Sequence, residues 1–531
     1  MANDSPIVGV HLDLKGVMFK PSYIPQLLAD LASQKVNCVL VEYEDIFPFE
    51  QWNLAYDASV VWSRKTLATF LAEAARHGIE VIPLQQCLGH LEYVYRWERY
   101  AGYSEGRDYP ATLSLASKKG KAQILDMLRQ MIEGHPDSKY VHLGMDEARQ
   151  LCTTKAVQKL GDRLTVFLAW LEELIEVCES YGKTPIIWSD MLEDHYKAGA
   201  FKSVADRVVF CSWDYGTRGE TTPMSRYGGW RTRKAWLDEP ETGDGPPIGA
   251  GMPFVEDLPA ATKKMLKPYE RGREFLAMHQ ADVWAKEGVK VIGGTLVRAS
   301  AHLSILPDYN LIHDNIHSWG RAMSRTAGLG LIATSWARGT TFGPPNFMID
   351  LTWPSIAETA KALGAKPKPF WPGVPAAKID LIIRKLGRCK VDWRLESTIA
   401  DELDALRPKV KDHLYEWDSL TLMTRMLSLK RQAEFVVLEV DHFQSNTRPT
   451  VVEWQRRLND QARTLRDLEK MRRQVNRHFS KRYHGDAYEE WLRDLFDLHV
   501  QRIEQCQIIC RQKQAAARKK YAAKKQSSAK K

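Results

Sequence analysis

Short apolar runs alternate with amphipathic helical stretches from Ile7 to about residue 340. Several runs are apolar at every position, as in residues 38–41, which is typical of parallel strands covered on both faces. Eight β-then-α units of this kind fit a (β/α)8 TIM barrel, and a doubly wound parallel sheet is the alternative because strand count alone does not separate the two. The predicted strands are Ile7–Asp13, Asn37–Glu44, Glu80–Gln85, Lys139–Asp146, Thr184–Asp190, Arg207–Tyr215, Val291–Val297 and Leu331–Trp336.

Polar or aromatic residues stand where the predicted strands end. In a barrel all of these ends meet around one mouth, so the pattern favours a barrel with a convergent site. The alternative is that strand ends are simply exposed and therefore polar. The strand-end residues are Asp13, Glu44 and Asp45, Gln85 and Gln86 followed by His90, Asp146 and Glu147, Asp190, Asp214 and Tyr215, and Trp336.

The chain divides into a barrel and a helical region. Residues 1–365 form the predicted barrel, with a long insertion near 216–290 that contains the Gly- and Pro-rich loop Thr242–Pro253. Four prolines within Lys366–Pro375 predict a linker. Apolar residues spaced three or four apart then predict an α-helical C-terminal region over 376–510, and 511–531 is expected to be a basic disordered tail.

Charge and cysteine usage exclude several classes of protein. Lys plus Arg total 75 and Asp plus Glu total 66, which gives +9, and the nine basic residues of 511–531 account for all of that excess. A nucleic-acid partner is not expected, because such proteins usually carry basic charge along a face. No run approaches the roughly 18 apolar residues of a membrane span, and no signal peptide is evident, so a cytoplasmic protein is expected. The absence of a CxxC pair argues against a disulfide scaffold or a zinc ribbon. No metal site or cofactor is predicted.

The segment 140–147 ends in two adjacent acids, Asp146 and Glu147. Adjacent strand residues point to opposite faces, so both can enter one pocket only if the chain turns at the strand end. Burying two carboxylates raises at least one pKa, which suggests acid chemistry. The alternative is a helix N-cap for the residues that follow.

Tryptophan placement favours a carbohydrate site. Trp188, Trp213 and Trp336 each lie near a predicted strand end. Sugars present flat C–H faces and a rim of hydroxyls, so their sites pair aromatic walls with hydrogen-bonding side chains. Side chains that could bind the hydroxyls of a sugar are Asp13, His90, Asp190 and Tyr215. For any single tryptophan, packing in the core is the alternative.

Six segments together resemble the family-20 glycoside hydrolases, and within them the hexosaminidase D type of β-N-acetylhexosaminidase. The resemblance runs in order over residues 7–340 and is most specific in the Asp-Glu pair with its preceding His-x-Gly. The helical third and the 216–290 connection do not contribute, and residues 333–338, around Trp336, fit more loosely. The segments are HLDLKG (11–16), VEYEDIFPFE (41–50), GHLE (89–92), HLGMDE (142–147), WSD (188–190) and WDY (213–215).

The resemblance implies substrate-assisted retaining hydrolysis of terminal β-linked GlcNAc or GalNAc, in which the 2-acetamido oxygen attacks C1. Glu147 would be the general acid and base, and Asp146 would hold the acetamide N–H. Tyr215 would donate to the acetamide carbonyl, and His90 would contact sugar or hold Asp146. Trp188, Trp213 and Trp336 would wall the pocket, and Asp13 and Asp190 would bind sugar hydroxyls.

Two alternatives stay open at this point. One is a glycosidase for another sugar with a conventional pair of acids, in which Asp190 or Asp214 is the second carboxylate. The other is a catalytically silent carbohydrate-binding barrel whose helical region serves a partner. The expected ligands are β-N-acetylhexosaminide glycans or oligosaccharides, and the sequence makes no prediction of oligomeric state.

Overall fold

The computed structural model of the protein describes residues 5–106, 108–225, 227, 232–233, 254–298, 305–387, 393–446 and 449–529. The predicted loop Thr242–Pro253 lies outside these residues. The chain divides into two compact units. The first comprises 1–300, 309–343 and 352–368, and the second comprises 301–308, 344–351 and 369–531. The division at 368/369 falls inside the predicted linker.

Eight parallel strands close into a barrel in the first unit, which confirms the predicted (β/α)8 fold and excludes the doubly wound sheet. Each strand pairs with its neighbours in sequence, and the first pairs with the last in the register Ile7 opposite Gly330. The strands are β1 Ile7–Asp13, β2 Cys38–Glu42, β3 Glu80–Leu84, β4 Tyr140–His142, β5 Thr184–Trp188, β6 Val209–Trp213, β7 Lys290–Arg298 and β8 Gly330–Ser335.

Helices surround these strands. A small apolar cluster that includes Leu40, Ile186 and Ile332 fills the barrel, and a much larger cluster lies between the strands and the helices. Strands buried on both faces explain the continuous apolar runs in the sequence. The helices of this unit are Ile24–Ser33, Arg64–Arg76, Glu92–Tyr95, Glu98–Ala101, Lys118–Glu133, Lys155–Gln158, Arg163–Ser180, Asp190–Asp194, Ala260–Leu266, His279–Lys286, Tyr309–Thr326 and Trp353–Ala362.

The connection between β6 and β7 contains secondary structure of its own. Thr221–Thr222, Glu274–Leu276 and Glu270–Arg271 form a three-stranded sheet, and Met224–Ser225 pairs with Thr232–Arg233. The connection leaves the carboxyl end of β6, which is the end of the barrel where active sites lie.

The second unit is helical, as predicted. Its helices are Ala376–Leu386, Trp393–Leu406, Leu414–Asn446, Val451–Phe479 and Asp486–Ala529. Within this unit Arg482 forms an ion pair with Asp350 at 2.7 Å, which ties the short segment 344–351 to it. The sequence did not predict that this segment would leave the barrel unit.

The prediction of a disordered tail is wrong, because the last helix continues to Ala529. The residues from Arg511 onward are mostly exposed, but alanine, lysine, arginine and glutamine have high helix propensity and extend the preceding helix. No helix within the described residues is long and apolar enough to cross a membrane.

Candidate active site

The turn after β4 brings both acids to one place. The strand ends at His142, four residues before the predicted end, and Gly144, Met145 and Glu147 then adopt positive φ values of 65°, 78° and 46°. The positive φ favours glycine at position 144, and a Cβ there would meet the Gln86 amide oxygen at 1.9 Å, so a substitution would strain the backbone and displace the end of the Gln86 side chain. The turn replaces the alternation of an extended strand, which would have separated the two carboxylates.

One imidazole contacts both carboxylates. His90 Nε2 lies 3.3 Å from Asp146 Oδ2 and 3.5 Å from Glu147 Oε2. Burial alone would lower the pKa of His90, but the charge of Asp146 and the hydrogen bonds to both acids raise it well above its usual value. His90 is therefore a protonated group that holds the pair together.

Glu147 is an ionised carboxylate in this state. Burial would raise its pKa, but His90 and the neighbouring Arg149 lower it to about 2. Arg149 Nη2 lies 2.9 Å from Glu147 Oε1, and the Arg149 side chain is 67% exposed. The expectation of a raised pKa at one of the acids is thus not met at Glu147, because two cations outweigh burial.

Asp190 supports the turn and does not reach across the pocket. Its Oδ2 accepts the backbone N–H of Glu147 at 3.0 Å, and its Oδ1 accepts the Trp213 indole N–H at 3.4 Å. Asp214, the other candidate for a second carboxylate, accepts the backbone N–H groups of Gly216 and Thr217, both at 2.9 Å. Both carboxylates therefore take part in fixing the local backbone.

Aromatic side chains at the ends of β6 and β8 form one connected wall. Trp213 and Tyr215 stack with ring centroids 5.2 Å apart, and Trp336 Nε1 donates to the Tyr215 hydroxyl at 3.1 Å. Burial raises the pKa of Tyr215, so this phenol keeps its proton. Trp188 differs from the other two tryptophans, because it is fully buried between His142 and Trp336 and supports the wall from within the barrel.

Asp13 is not available to a sugar, in contrast to the prediction. Its Oδ2 lies 2.9 Å from Lys15 Nζ and accepts the backbone N–H of Ala337 at 2.8 Å, and its Oδ1 accepts the backbone N–H of Lys15 at 3.0 Å. The Asp13 side chain has no exposed surface. The carboxylate thus joins the end of β1 to the residues that follow β8.

Sequence reasoning missed the buried charge cluster around Lys15. Lys15 Nζ lies 3.2 Å from Glu42 and 3.9 Å from Glu44, and Glu42 also contacts His11 Nε2 at 3.1 Å. Burial opposes the charges of Lys15 and Glu42. The charge of Asp13 and then that of Glu42 nevertheless raise the pKa of Lys15, and the charge of Lys15 lowers the pKa of Glu42. Lys15 also lies 4.9 Å above the Trp336 ring, so the cluster underlies the aromatic wall.

One sequence signal could have found Lys15. It stands two residues after Asp13, and positions i and i+2 share a face in extended chain. The position of Glu42 opposite Asp13 follows from the register of the barrel, which the sequence alone does not give. Within the part of the chain that the structure describes, no group of three or more His, Cys, Asp or Glu side chains is placed to hold a metal ion.

Part of this chain is similar to known proteins. Residues 10–230 match the family model described as Glycosyl hydrolase family 20, catalytic domain. Hexosaminidase D of Bos taurus is 30% identical over 218 residues, which are 39% of this chain and 62% of that protein. Hexosaminidase D of Homo sapiens is 29% identical over 243 residues, which are 41% of this chain and 47% of that protein. The aligned segments thus span less than two thirds of either relative.

A solved structure of Flavobacterium johnsoniae chitobiase is similar with 12% identity and a TM-score of 0.47, over 95% of this chain and 72% of that one. The family-20 match over residues 10–230 includes the turn with Asp146 and Glu147, the shared imidazole of His90, and Trp213 and Tyr215 of the aromatic wall, and it ends before Trp336. Residues 10–230 of this chain are therefore similar to the catalytic domain of glycosyl hydrolase family 20, and the chain is similar to hexosaminidase D over the aligned segments.

Proposed function

We propose that this protein is an exo-acting β-N-acetylhexosaminidase that removes terminal β-linked GlcNAc or GalNAc by substrate-assisted retaining catalysis. The observation that carries the proposal is that Asp146 and Glu147 share the His90 imidazole. Conventional retaining and inverting enzymes use two carboxylates that flank the scissile bond. Two adjacent acids on one imidazole are poorly placed to do so, which leaves the acetamido group of the substrate as the nucleophile.

Asp146 is the proposed partner of the acetamide N–H. Its Oδ1 is buried and has no hydrogen-bond partner in the described structure, while its Oδ2 faces His90. A buried acceptor without a donor is costly, and an acetamide N–H would satisfy it. The negative charge of Asp146 would also stabilise the positive charge that develops on the cyclising acetamide.

Tyr215 and the tryptophans complete the proposed sugar pocket. The Tyr215 phenol keeps its proton and is the proposed donor to the acetamide carbonyl. Trp213 and Trp336 are half-buried and offer ring surface to the sugar, and Trp188 supports Trp336. Asp190 holds the turn, and Asp13 acts only through Lys15 and Ala337.

Glu147 and His90 are proposed to carry out the proton transfers together. In the ligand-free protein Glu147 is ionised, and this form suits the second step, in which Glu147 activates water by accepting its proton. For the first step it must carry a proton, and protonated His90, 3.5 Å away, can supply one. Bound sugar would exclude water and displace the exposed Arg149 side chain, and both changes raise the pKa of Glu147. The pair therefore titrates as a unit.

One set of assays separates this proposal from the two alternatives. The protein should hydrolyse aryl N-acetyl-β-hexosaminides with little activity on plain aryl β-hexosides, keep its activity in EDTA, and be inhibited by a thiazoline mimic of the cyclised intermediate. Comparable turnover of plain hexosides, without thiazoline inhibition, would favour the conventional two-acid enzyme. Sugar binding without turnover would favour the silent barrel. A cytoplasmic location stays a prediction, which cell fractionation would test.

A further inference from the structure

A small cavity lies among the helices of the second unit. The residues that line it come from the helices Leu414–Asn446 and Asp486–Ala529, with Ile305 and Pro345 beside them, and all of them belong to this unit. Its volume is about 100 Å³, below the range of about 300–1,000 Å³ that is usual for drug-sized ligands, so it suits a smaller molecule. Its apolar lining includes Ile305, Trp491, Leu495 and Leu498.

His499 is the most buried polar group of this cavity. The residue is only 7% exposed, and its ring nitrogens have no hydrogen-bond partner among the described residues. Burial, together with the nearby charge of Lys430, lowers the pKa of His499, so the ring is neutral at pH 7. A neutral imidazole has one N–H donor and one acceptor nitrogen, which a group held in the cavity can satisfy.

Three charged side chains that line the cavity form no ion pair with any described residue. They are Lys430, Glu434 and Arg502. Lys430 and Glu434 stand four residues apart on one helix, a spacing at which opposite charges often pair, yet they do not pair with each other. All three charges act on His499, which places them around the same ring. Asp494, the fourth charged residue of the lining, is already engaged by another contact.

The cavity therefore presents opposite charges and an apolar surface together. A simple anion would pair with Lys430 and Arg502 but leave Glu434 unpaired beside it, and a simple cation would leave both basic side chains unpaired. An apolar molecule would satisfy none of these groups and would remove them from water at a cost. A small zwitterion with an apolar body matches all of them, because hydrogen bonds to ionised groups are the strong ones.

We propose that this cavity binds a free α-amino acid with an apolar side chain. Lys430 and Arg502 bind the carboxylate of the amino acid, and His499 donates its ring N–H to the same group. Glu434 binds the ammonium group. The side chain of the amino acid packs against the apolar lining. The site is separate from the proposed hydrolase function, because its residues all belong to the second unit.

Isothermal titration calorimetry on the full-length protein tests the proposal, with L-leucine, L-methionine and L-phenylalanine as the probes. At least one of these amino acids should bind, with one site per chain. The N-acetyl derivative of that amino acid lacks the ammonium charge, and its amide lacks the carboxylate charge. Each derivative should bind about 10- to 100-fold more weakly, as expected for the loss of one hydrogen bond to a charged group.

Two charge variants and a matched control assign the contacts. Lys430→Met should weaken binding of the amino acid about 10-fold and reduce the discrimination against the amide. Glu434→Gln should weaken binding to a similar extent and reduce the discrimination against the N-acetyl derivative. Lys470→Met is the control for Lys430→Met, because Lys470 is exposed on the helix Val451–Phe479 and does not line the cavity. It should leave Kd within twofold of wild type.

His499→Phe keeps a planar ring, removes both ring nitrogens and should also weaken binding about 10-fold, with urea unfolding measured for every variant. If this variant folds poorly, the two charge variants still test the site. The proposal is overturned if none of the three amino acids binds, if both derivatives bind as tightly as the parent amino acid, or if the folded charge variants bind as tightly as wild type. The residues assigned to hydrolysis all belong to the first unit, so these outcomes do not depend on the proposed hydrolase function.

Discussion

Gly89 lies against the backbone of the catalytic turn, and replacing it with alanine should disable the site. A Cβ at Gly89 would stand 2.1 Å from the Asp146 carbonyl oxygen, whereas real Cβ contacts stay beyond 3.0 Å. One of the two segments must therefore shift by about 0.9 Å, the difference of these distances. Because a misplacement of about 1 Å can cost about 10²-fold in rate, we expect Gly89→Ala to lose about that factor in kcat/KM.

The assay is hydrolysis of an aryl N-acetyl-β-hexosaminide, with urea unfolding as a check on folding. Overpacking of this kind costs about 1–3 kcal/mol, which should leave a folded protein. Gly102→Ala is the control, because Gly102 has helical φ and ψ and a Cβ there would meet nothing within 4 Å. It should keep full activity and be slightly more stable. A folded Gly89→Ala protein within threefold of wild type would show that the Asp146 backbone position does not limit catalysis.

Glu147→Gln should lower kcat about 10²–10⁴-fold for substrates with poor leaving groups and leave substrates with good leaving groups little affected. Asp146→Asn should lower kcat about 10²–10³-fold for both kinds of substrate. A leaving-group series with the opposite dependence would reverse the two roles. Arg149→Gln removes a cation beside the Glu147–His90 pair and so favours the protonated form of the pair. The alkaline limb of the kcat/KM profile, where the pair loses its proton, should therefore move upward by less than about one pH unit, because exposed pairs are worth about 0.2–1 kcal/mol. A limb that stays or moves down would contradict this. Lys15→Met leaves buried acids unpaired and should lower the free energy of unfolding, measured in urea, by about 3–5 kcal/mol. The control Lys65→Met, at an exposed lysine, should change it little. A loss below about 1 kcal/mol for Lys15→Met would count against the buried cluster.

The barrel could be predicted from the sequence because its strands are buried on both faces and end in polar residues. Seven of the eight predicted strands differ from the observed bounds by three residues or fewer. The exception is β4, which was expected to reach Asp146 and stops at His142. The turn after it depends on left-handed backbone at Gly144, Met145 and Glu147. Glycine favours that conformation, but methionine and glutamate do not signal it.

The site was predicted less completely than the fold. The two acids, His90 and the wall of Trp213, Tyr215 and Trp336 do come together, whereas Asp13 proved to be buried. Whether an acid at a strand end meets solvent or a neighbouring cation depends on tertiary packing. Arg149 is a second example. It lowers the pKa of Glu147, but its contact with that residue could not be predicted from composition.

Closure of the barrel has a consequence for fragments of this protein. The family-20 match ends at residue 230, after six barrel strands, but β1 pairs with β8 across a separation of 323 residues, from 7 to 330. A fragment ending at 230 would leave β1 and β6 as open edges, which are templates for aggregation. It would also lack the Ala337 N–H that holds Asp13. Contacts this distant in sequence form slowly, so soluble expression should require the chain through β8 and its following helix.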